Sequence, residues 1–287
     1  AQLITPPTTV SGMTGELRQI GSVMHSSPLL LTSKGKLTYS NGVLDSDANT
    51  REDYVLFGTT QGLLHVVDAK TGQEKFAFVP NEMVVNQKDA FKKYDTTSGG
   101  MSQLFYGVDG PWTAYTEYVI DSSGYLTVGT GKGTNQKGKQ MVYGGLRMGG
   151  RSYYALNLQD INTPKIMFQI SPDDKKVYSN DGTTATTTTY NELDDMGESW
   201  SKPTIAWVKW NGARKRVMFV GGGYDAGGTN GTANNAGYES DTYEQINKKG
   251  AGVYMFDADN GKLLWWAGAN TTAASTGVTK VLATDMK

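Results

Sequence analysis

One phrase is written twice in this chain, and that repetition constrains the fold more than any single residue does. Residues 65–78 read HVVDAKTGQEKFAF and residues 254–267 read YMFDADNGKLLWWA. Aligned, each runs from an apolar stretch into Asp-Ala, two variable positions, a glycine, three more positions and an aromatic. The pairs are Asp68 and Asp257, Ala69 and Ala258, Gly72 and Gly261, Phe76 and Trp265. The physical content of the phrase is a β-hairpin. Apolar residues on both sides supply strands, the aspartate accepts bonds from the amides of its own turn, and the glycine takes the positive φ that side chains resist. Upstream of each copy lies a further strand ending in glycine, in DYVLFGTTQG (53–62) and RVMFVGGGYD (216–225). A third copy is expected from YLTVGTGKG (125–133) followed by SYYALNLQDINTPKIMFQI (152–170), with Asn157 where the others have aspartate and Pro164 in the turn.

Strand and turn units repeated at irregular spacing predict an all-β protein, a modified β-propeller whose blades carry long loop insertions between their strands. The 36 glycines and 16 tyrosines agree with short, glycine-punctuated, aromatic-rich strands. The strands suffice for about four or five blades of roughly 40–50 residues, and VLATDMK at the end holds no obvious strand, so an incomplete propeller or a fragment is expected. Residues 1–20, with TPPTT and GELRQIG, are expected to form a strap leading into the array, and residues 21–287 the propeller domain, as part of a larger exported protein. NEMVVNQKDAFKKY (81–94) has near-helical apolar spacing and predicts one short helix on a loop. Residues 110–131 read as two strands around a Ser-Ser-Gly turn, and residues 200–223 as two strands joined by Asn211-Gly212. The threonine-rich stretch 171–199 and the polar stretch 225–250 are expected to be long loops.

With 27 basic and 28 acidic residues the formal net charge is −1, which gives no whole-molecule field for nucleic acid or anionic lipid and shows no nucleic-acid patch. No window reaches the roughly 20 apolar residues of a membrane-spanning helix. The first residues, AQLITPPTTV, lack the basic and apolar regions of a signal peptide, so an export signal would lie outside this chain. Cysteine is absent, which removes disulfide and thiolate chemistry.

Candidate chemistry is sparse. In DSDANTRED (45–53), Asp45, Asp47, Asn49 and Asp53 stand at positions one, three, five and nine before a strand. Oxygen ligands at alternate positions of a tight loop converge on Ca²⁺, although position six is Thr50 rather than glycine; the alternative is a polar surface turn. His25 beside Ser26 and Ser27 does not make a hydrolase pair, because neighbours on a strand point to opposite faces; His25 and His65 are read as structural. VGTGKGTN (128–135) lacks the order of a phosphate loop and is read as a turn. Asp173, Asp174, Asp194, Asp195 and Glu198 are read as solvated loop charges rather than glycosidase acids. The aromatics Tyr190, Trp200, Trp207, Trp210, Tyr224, Tyr238, Tyr243, Trp265 and Trp266 either pack between blades or anchor a protein partner or a sugar.

Several phrases together resemble the C-terminal propeller domain of the PilY1/PilC family of type IV pilus biogenesis and tip-adhesin proteins. They are GSVMHSSPL (21–29), YVLFGTTQGLLHVVDAKTGQEKFAF (54–78), LFYGVDGPWTAY (104–115), YGGLRMGGRSYYALNLQD (143–160), SWSKPTIAWV (199–208), VMFVGGGYD (217–225) and GVYMFDADNGKLLW (252–265), in the family's order. The resemblance implies a non-enzymatic protein of the bacterial cell surface, outer membrane or pilus tip. Its implied work is to promote pilus assembly, oppose retraction and contribute to adhesion, twitching motility or DNA uptake. Its implied partners are minor pilins at the tip and a host or abiotic surface. The loop at Asp45–Asp53 is similar to the family's calcium loop, whereas the nonapeptide that members often carry late in the propeller has no counterpart before this chain ends. The Asp-Ala-x-x-Gly phrase is also similar to quinoprotein dehydrogenase propellers, which bind pyrroloquinoline quinone and Ca²⁺. Those commonly use a vicinal disulfide, and this chain has no cysteine. A further alternative is an outer-membrane assembly scaffold, which implies a lipid anchor and a closed ring.

Overall fold

The computed structural model of the protein describes residues 2–4, 20–46, 50–88, 105–227, 249–269 and 274–282. Its strands, numbered along the chain, begin with β1 (Gln2–Ile4), β2 (Leu29–Gly35), β3 (Leu37–Ser40), β4 (Val43–Ser46), β5 (Glu52–Gly58), β6 (Leu64–Asp68) and β7 (Glu74–Val79). After the short helix α1 (Asn81–Asn86) come β8 (Trp112–Glu117), β9 (Val119–Ile120), β10 (Leu126–Thr127), β11 (Lys139–Gly145), β12 (Tyr153–Asn157), β13 (Lys165–Ser171), β14 (Lys176–Asn180) and β15 (Ala185–Thr189). A 3-10 turn at Asn191–Asp195 precedes β16 (Thr204–Trp210), β17 (Ala213–Gly221), β18 (Gly252–Asp257), β19 (Leu263–Gly268) and β20 (Thr279–Leu282). The sheets run β1-β7-β6-β5-β2-β10-β9, β15-β14-β13-β12-β11-β8 and β16-β17-β18-β19-β20, with β3 and β4 as a separate ribbon.

Each large sheet contains one four-stranded meander: β2-β5-β6-β7, β8-β11-β12-β13 and β16-β17-β18-β19. The turns between their last two strands share one chemistry. Gly72 and Gly261 sit at φ 71° and 75°, and each donates its amide to the aspartate carbonyl four residues back at 2.8 Å. Asp68 Oδ1 accepts from the amides of Lys70 and Thr71, and Asp257 Oδ1 accepts from that of Asp259. In the middle copy Asn157 Oδ1 accepts from the amide of Gln159 at 2.9 Å, so an asparagine does the same work. The residue after each turn aspartate or asparagine also bonds back to the second strand of its meander: Ala69 to Asp53, Leu158 to Gln140 and Ala258 to Arg216. These bonds align Gln140 with Asp53 and Arg216, and place a glycine five residues on in every copy, at Gly58, Gly145 and Gly221.

That alignment corrects the expected middle copy. Its second strand is β11, from KQMVYGG, whereas Leu126–Thr127 of the YLTVGTGKG segment pairs with β2 and β9 in the first sheet. The threonine-rich stretch is corrected too: it forms β14 and β15, an antiparallel hairpin in register from Lys176 opposite Thr189 to Asn180 opposite Ala185. Threonine is β-branched, so a polar threonine run satisfies a strand as well as a loop. Gln2–Ile4, expected in a strap outside the blades, pairs antiparallel with β7. Thr279–Leu282, where no strand was expected, pairs parallel with β19. The Asn211-Gly212 hairpin forms as expected, with φ of 49° and 83°, and so does the short helix, over Asn81–Asn86. Most of the polar stretch 225–250 lies outside the described residues.

Two compact units divide the chain. Residues 1–108, 114–142 and 156–165 form the first, and residues 109–113, 143–155 and 166–287 the second. In the first, alternation along β5 buries Tyr54, Leu56 and Gly58, which join a core with Leu31, Leu64, Val66 and Phe78. Each such aliphatic side chain stabilises by about 1.5–3 kcal/mol when fully buried. In the second, Tyr143, Tyr254, Phe168, Phe256 and Trp266 carry the core, with Tyr143 donating its hydroxyl to the Ala258 carbonyl. Gly144 is required there by space: a Cβ would stand 2.1 Å from the Trp112 indole.

Candidate functional site

The first strands of two meanders are introduced by Ser-x-Pro, at Ser26-Ser27-Pro28 and Ser201-Lys202-Pro203. In both, the serine Oγ accepts the amide of the glycine that ends the second strand: Gly58 to Ser26 at 2.7 Å and Gly221 to Ser201 at 3.0 Å. The middle meander has Asp109 two residues before Pro111 instead. Its carboxylate, 1% exposed, forms an ion pair with Arg147 at 3.1 Å. Arg147 follows Gly144-Gly145-Leu146 and adopts φ 52°, held by its amide on the Ser199 carbonyl. Its guanidinium lies 4.0 Å from the centroid of the Trp200 ring, and Trp200 stacks on Tyr224 at 4.7 Å and 20°. A cation and an aromatic ring are each attracted to the π system of an indole. Trp200, one of the aromatics proposed from sequence as an anchor, contacts both groups and remains 37% exposed.

A second polar cluster lies in the same unit. Arg151 donates to Asp173 Oδ1 at 2.5 Å and through Nε to the Met196 carbonyl at 3.0 Å. Burial pushes the Lys249 ammonium below its usual range, and the Arg151 charge pushes it the same way, against the carboxylates of Asp194, Asp225 and Asp173. Burial likewise raises the phenol of Tyr254 well above its ordinary value. Of the five carboxylates weighed as acids, Asp195 is buried rather than solvated as expected, and three others have separate partners. Asp173 is on Arg151, Asp194 on Lys175, and Asp174 accepts from Ser171 and Tyr178. Glu192, which no sequence pattern singles out, binds the amide and hydroxyl of Ser275 at 2.5 and 2.6 Å.

Of the calcium-loop residues, Asp47 and Asn49 and the side chain of Asp45 lie outside the described residues. Asp53 sits on β5 opposite Thr32, whose hydroxyl donates to it at 2.6 Å, and pairs with Arg51 at 2.9 Å. The described carboxylate of the set is thus already balanced by a cation. Among the described residues, no group of three or more His, Cys, Asp or Glu side chains is placed to hold a metal. His65 is buried between Thr59 and Glu74, 2.9 Å from the glutamate, and stacks on Phe57, a structural role as expected. Gly131 and Gly133 close a turn on Gln136 with no helix following, as read for VGTGKGTN. Trp265 and Trp266 face opposite sides of β19, and Trp266 is buried under the Lys280 ammonium while Trp265 is part-exposed. Tyr238 and Tyr243 lie outside the described residues.

Sheets built from one repeated four-stranded meander, its last turn closed by an aspartate or asparagine side chain, define an all-β protein of the β-propeller class. The chain belongs to the PilY1 beta-propeller domain family, which residues 20–253 match. It is similar to the type IV pilus biogenesis factor PilY1 of Pseudomonas aeruginosa strain UCBPP-PA14, 26% identical over 197 residues that cover 65% of this chain and 14% of the relative. The PilY1 proteins of strains PAO1 and PAK are 26% identical over 220 residues, covering 72% of this chain and 15% of each relative. The chain thus spans a small part of the curated relatives it matches. Among solved structures, the crystal structure of the Pseudomonas aeruginosa PilY1 C-terminal domain matches with a TM-score of 0.44 at 20% identity, over 77% of this chain and 31% of that one.

Proposed function

We propose that this chain is the propeller module of an exported type IV pilus biogenesis factor, working without catalysis at the cell surface or pilus tip. The observation that carries the reading is the family match over residues 20–253, together with the pilus-biogenesis naming of the relatives. In this role the sheets are a rigid platform and the connecting segments meet minor pilins or a host or abiotic surface. Through those contacts the protein supports assembly, opposes retraction and contributes to adhesion, twitching motility or DNA uptake. The test is to shear surface pili from the source bacterium, probe that fraction for this chain, and count pili on a deletion strain. The expected result is the chain in the sheared fraction and fewer pili on deletion. Its absence from that fraction, with piliation unchanged, overturns the proposal.

A subsidiary proposal rests on spacing alone: Asp45, Asp47, Asn49 and Asp53 bind Ca²⁺. For Asp53 to join the shell, the ion has to displace Arg51 as its cation. Calorimetric titration is expected to show binding that Asp45→Ala removes. A titration without heat overturns it.

A further inference from the structure

Among the described residues of the second unit, the hairpin of β16 and β17 is the most cationic ribbon. Between Trp207 and Arg216 it carries Lys209, Arg214, Lys215 and Arg216 with two tryptophans. Register sorts them. Trp207 stands opposite Arg216 and Lys209 opposite Arg214, so these four side chains share one face. Two cations of the hairpin are neutralised: Lys215 by Asp257 at 2.6 Å, and Arg216 by Asp259. Lys209 and Arg214 are exposed and have no carboxylate within ion-pair distance among the described residues. Like charges directly opposite on a ladder repel. Arg214 belongs to the inner strand, yet its guanidinium lies over the Trp207 ring, 4.3 Å from the centroid, and so carries its charge onto β16. Trp207 itself is 43% exposed.

The outer edge of β16 adds a second feature. β16 ends its sheet, and no described strand pairs with its other side. A free edge offers backbone donors and acceptors to an extended chain, and alternate side chains of that chain fall on one face. We propose that the β16–β17 hairpin docks an extended, carboxylate-rich segment of a partner protein, added along the edge of β16 with its acidic side chains beside Lys209, Arg214 and Trp207. Charge selects this occupant. A second copy of the same edge would set cation against cation, and a membrane or an anionic glycan would leave the edge amides unused.

The inference is independent of any role at a pilus. The probe is a fluorescent seven-residue peptide, the length of β16, alternating threonine and glutamate, titrated into the whole chain and read by anisotropy. A threonine–lysine peptide of the same length is the control. The acidic peptide is expected to bind at least about tenfold more tightly, which corresponds to about 1.4 kcal/mol, and to protect amides of residues 204–210 from hydrogen exchange. K209E/R214E is expected to invert the preference, and Trp207→Ala to weaken binding without inverting it. Equal binding of both peptides, or a preference that K209E/R214E leaves in place, overturns the proposal. So does binding of phosphatidylglycerol vesicles through these residues while the peptide is not bound.

Discussion

At the scale of single residues, the middle meander departs from its neighbours at Asp109, where the other two have serine. A serine can satisfy its partner amide without bringing a charge; a carboxylate that is 1% exposed cannot, and it needs the Arg147 guanidinium. Removing the cation strands the anion, which typically costs about 3–5 kcal/mol for a buried pair. Arg147→Met is therefore expected to lower unfolding stability by about 3 kcal/mol in urea denaturation. Adding Asp109→Ser, which installs the serine of the other copies, is expected to recover most of that loss. A double variant no more stable than Arg147→Met would show that the pair does not act as a pair. The sequence hints at Arg147 only through the glycines on both sides of it, in GGLRMGG. Nothing in one dimension couples it to Asp109, 38 residues away. The same holds for Trp200, legible as an aromatic near the surface, whose partners Arg147 and Tyr224 are distant in sequence.

At the scale of elements, the turns carry the repeat, and they carry a pH dependence. Backbone amides hold the Asp68 carboxyl below its ordinary 3.8, that of Thr71 most strongly. Asp121 is lowered chiefly by the Tyr125 amide, and Asp160 first by the Thr163 hydroxyl. Asp181, in the β14–β15 turn, is lowered to about 2, first by the Thr184 amide. A depressed folded-state carboxyl contributes stability that is present above its unfolded value and lost as pH falls through its folded value. The melting temperature is therefore expected to fall between pH 3.8 and about 2, in step with these turns. Asp68→Asn keeps the acceptor, as Asn157 does natively, and is expected to melt lower than the parent at neutral pH while losing less on acidification. Asp68→Ala removes the acceptor of two amides and is expected to cost about 1 kcal/mol by calorimetry. Turn chemistry of this kind is local, which is why the hairpins at Asp68, Asn211 and Asp257 are legible in sequence. Strand partnership is not local. An apolar run ending in glycine occurs at both 125–131 and 139–145, and long-range pairing, including the bond from Leu158 to Gln140, shows which one belongs to the meander. The same limit hid β14 and β15, because the threonines of β15 carry no apolar alternation and β14 pairs with them.

At the scale of the whole molecule, the architecture and the family are legible because ordered phrases span most of the chain. The charge balance separates two kinds of electrostatics. With 27 basic and 28 acidic residues the folded chain has little net self-repulsion to screen. The hairpin at Lys209 and Arg214 is a local excess that this balance conceals. Raising ionic strength from about 0.1 to about 1 M shortens the screening length from about 10 to about 3 Å. An anionic segment docked on two exposed cations loses most of its attraction under that change, whereas the buried core and the Asp109–Arg147 pair are screened far less. Sodium chloride over this range is therefore expected to move the melting temperature by less than about 3 °C, equivalent to about 1 kcal/mol for a chain of this size. Over the same range, acidic-peptide binding is expected to weaken by about tenfold or more. A large salt-driven drop in melting temperature would place surface ion pairs, rather than sheets and turns, among the main supports of the fold.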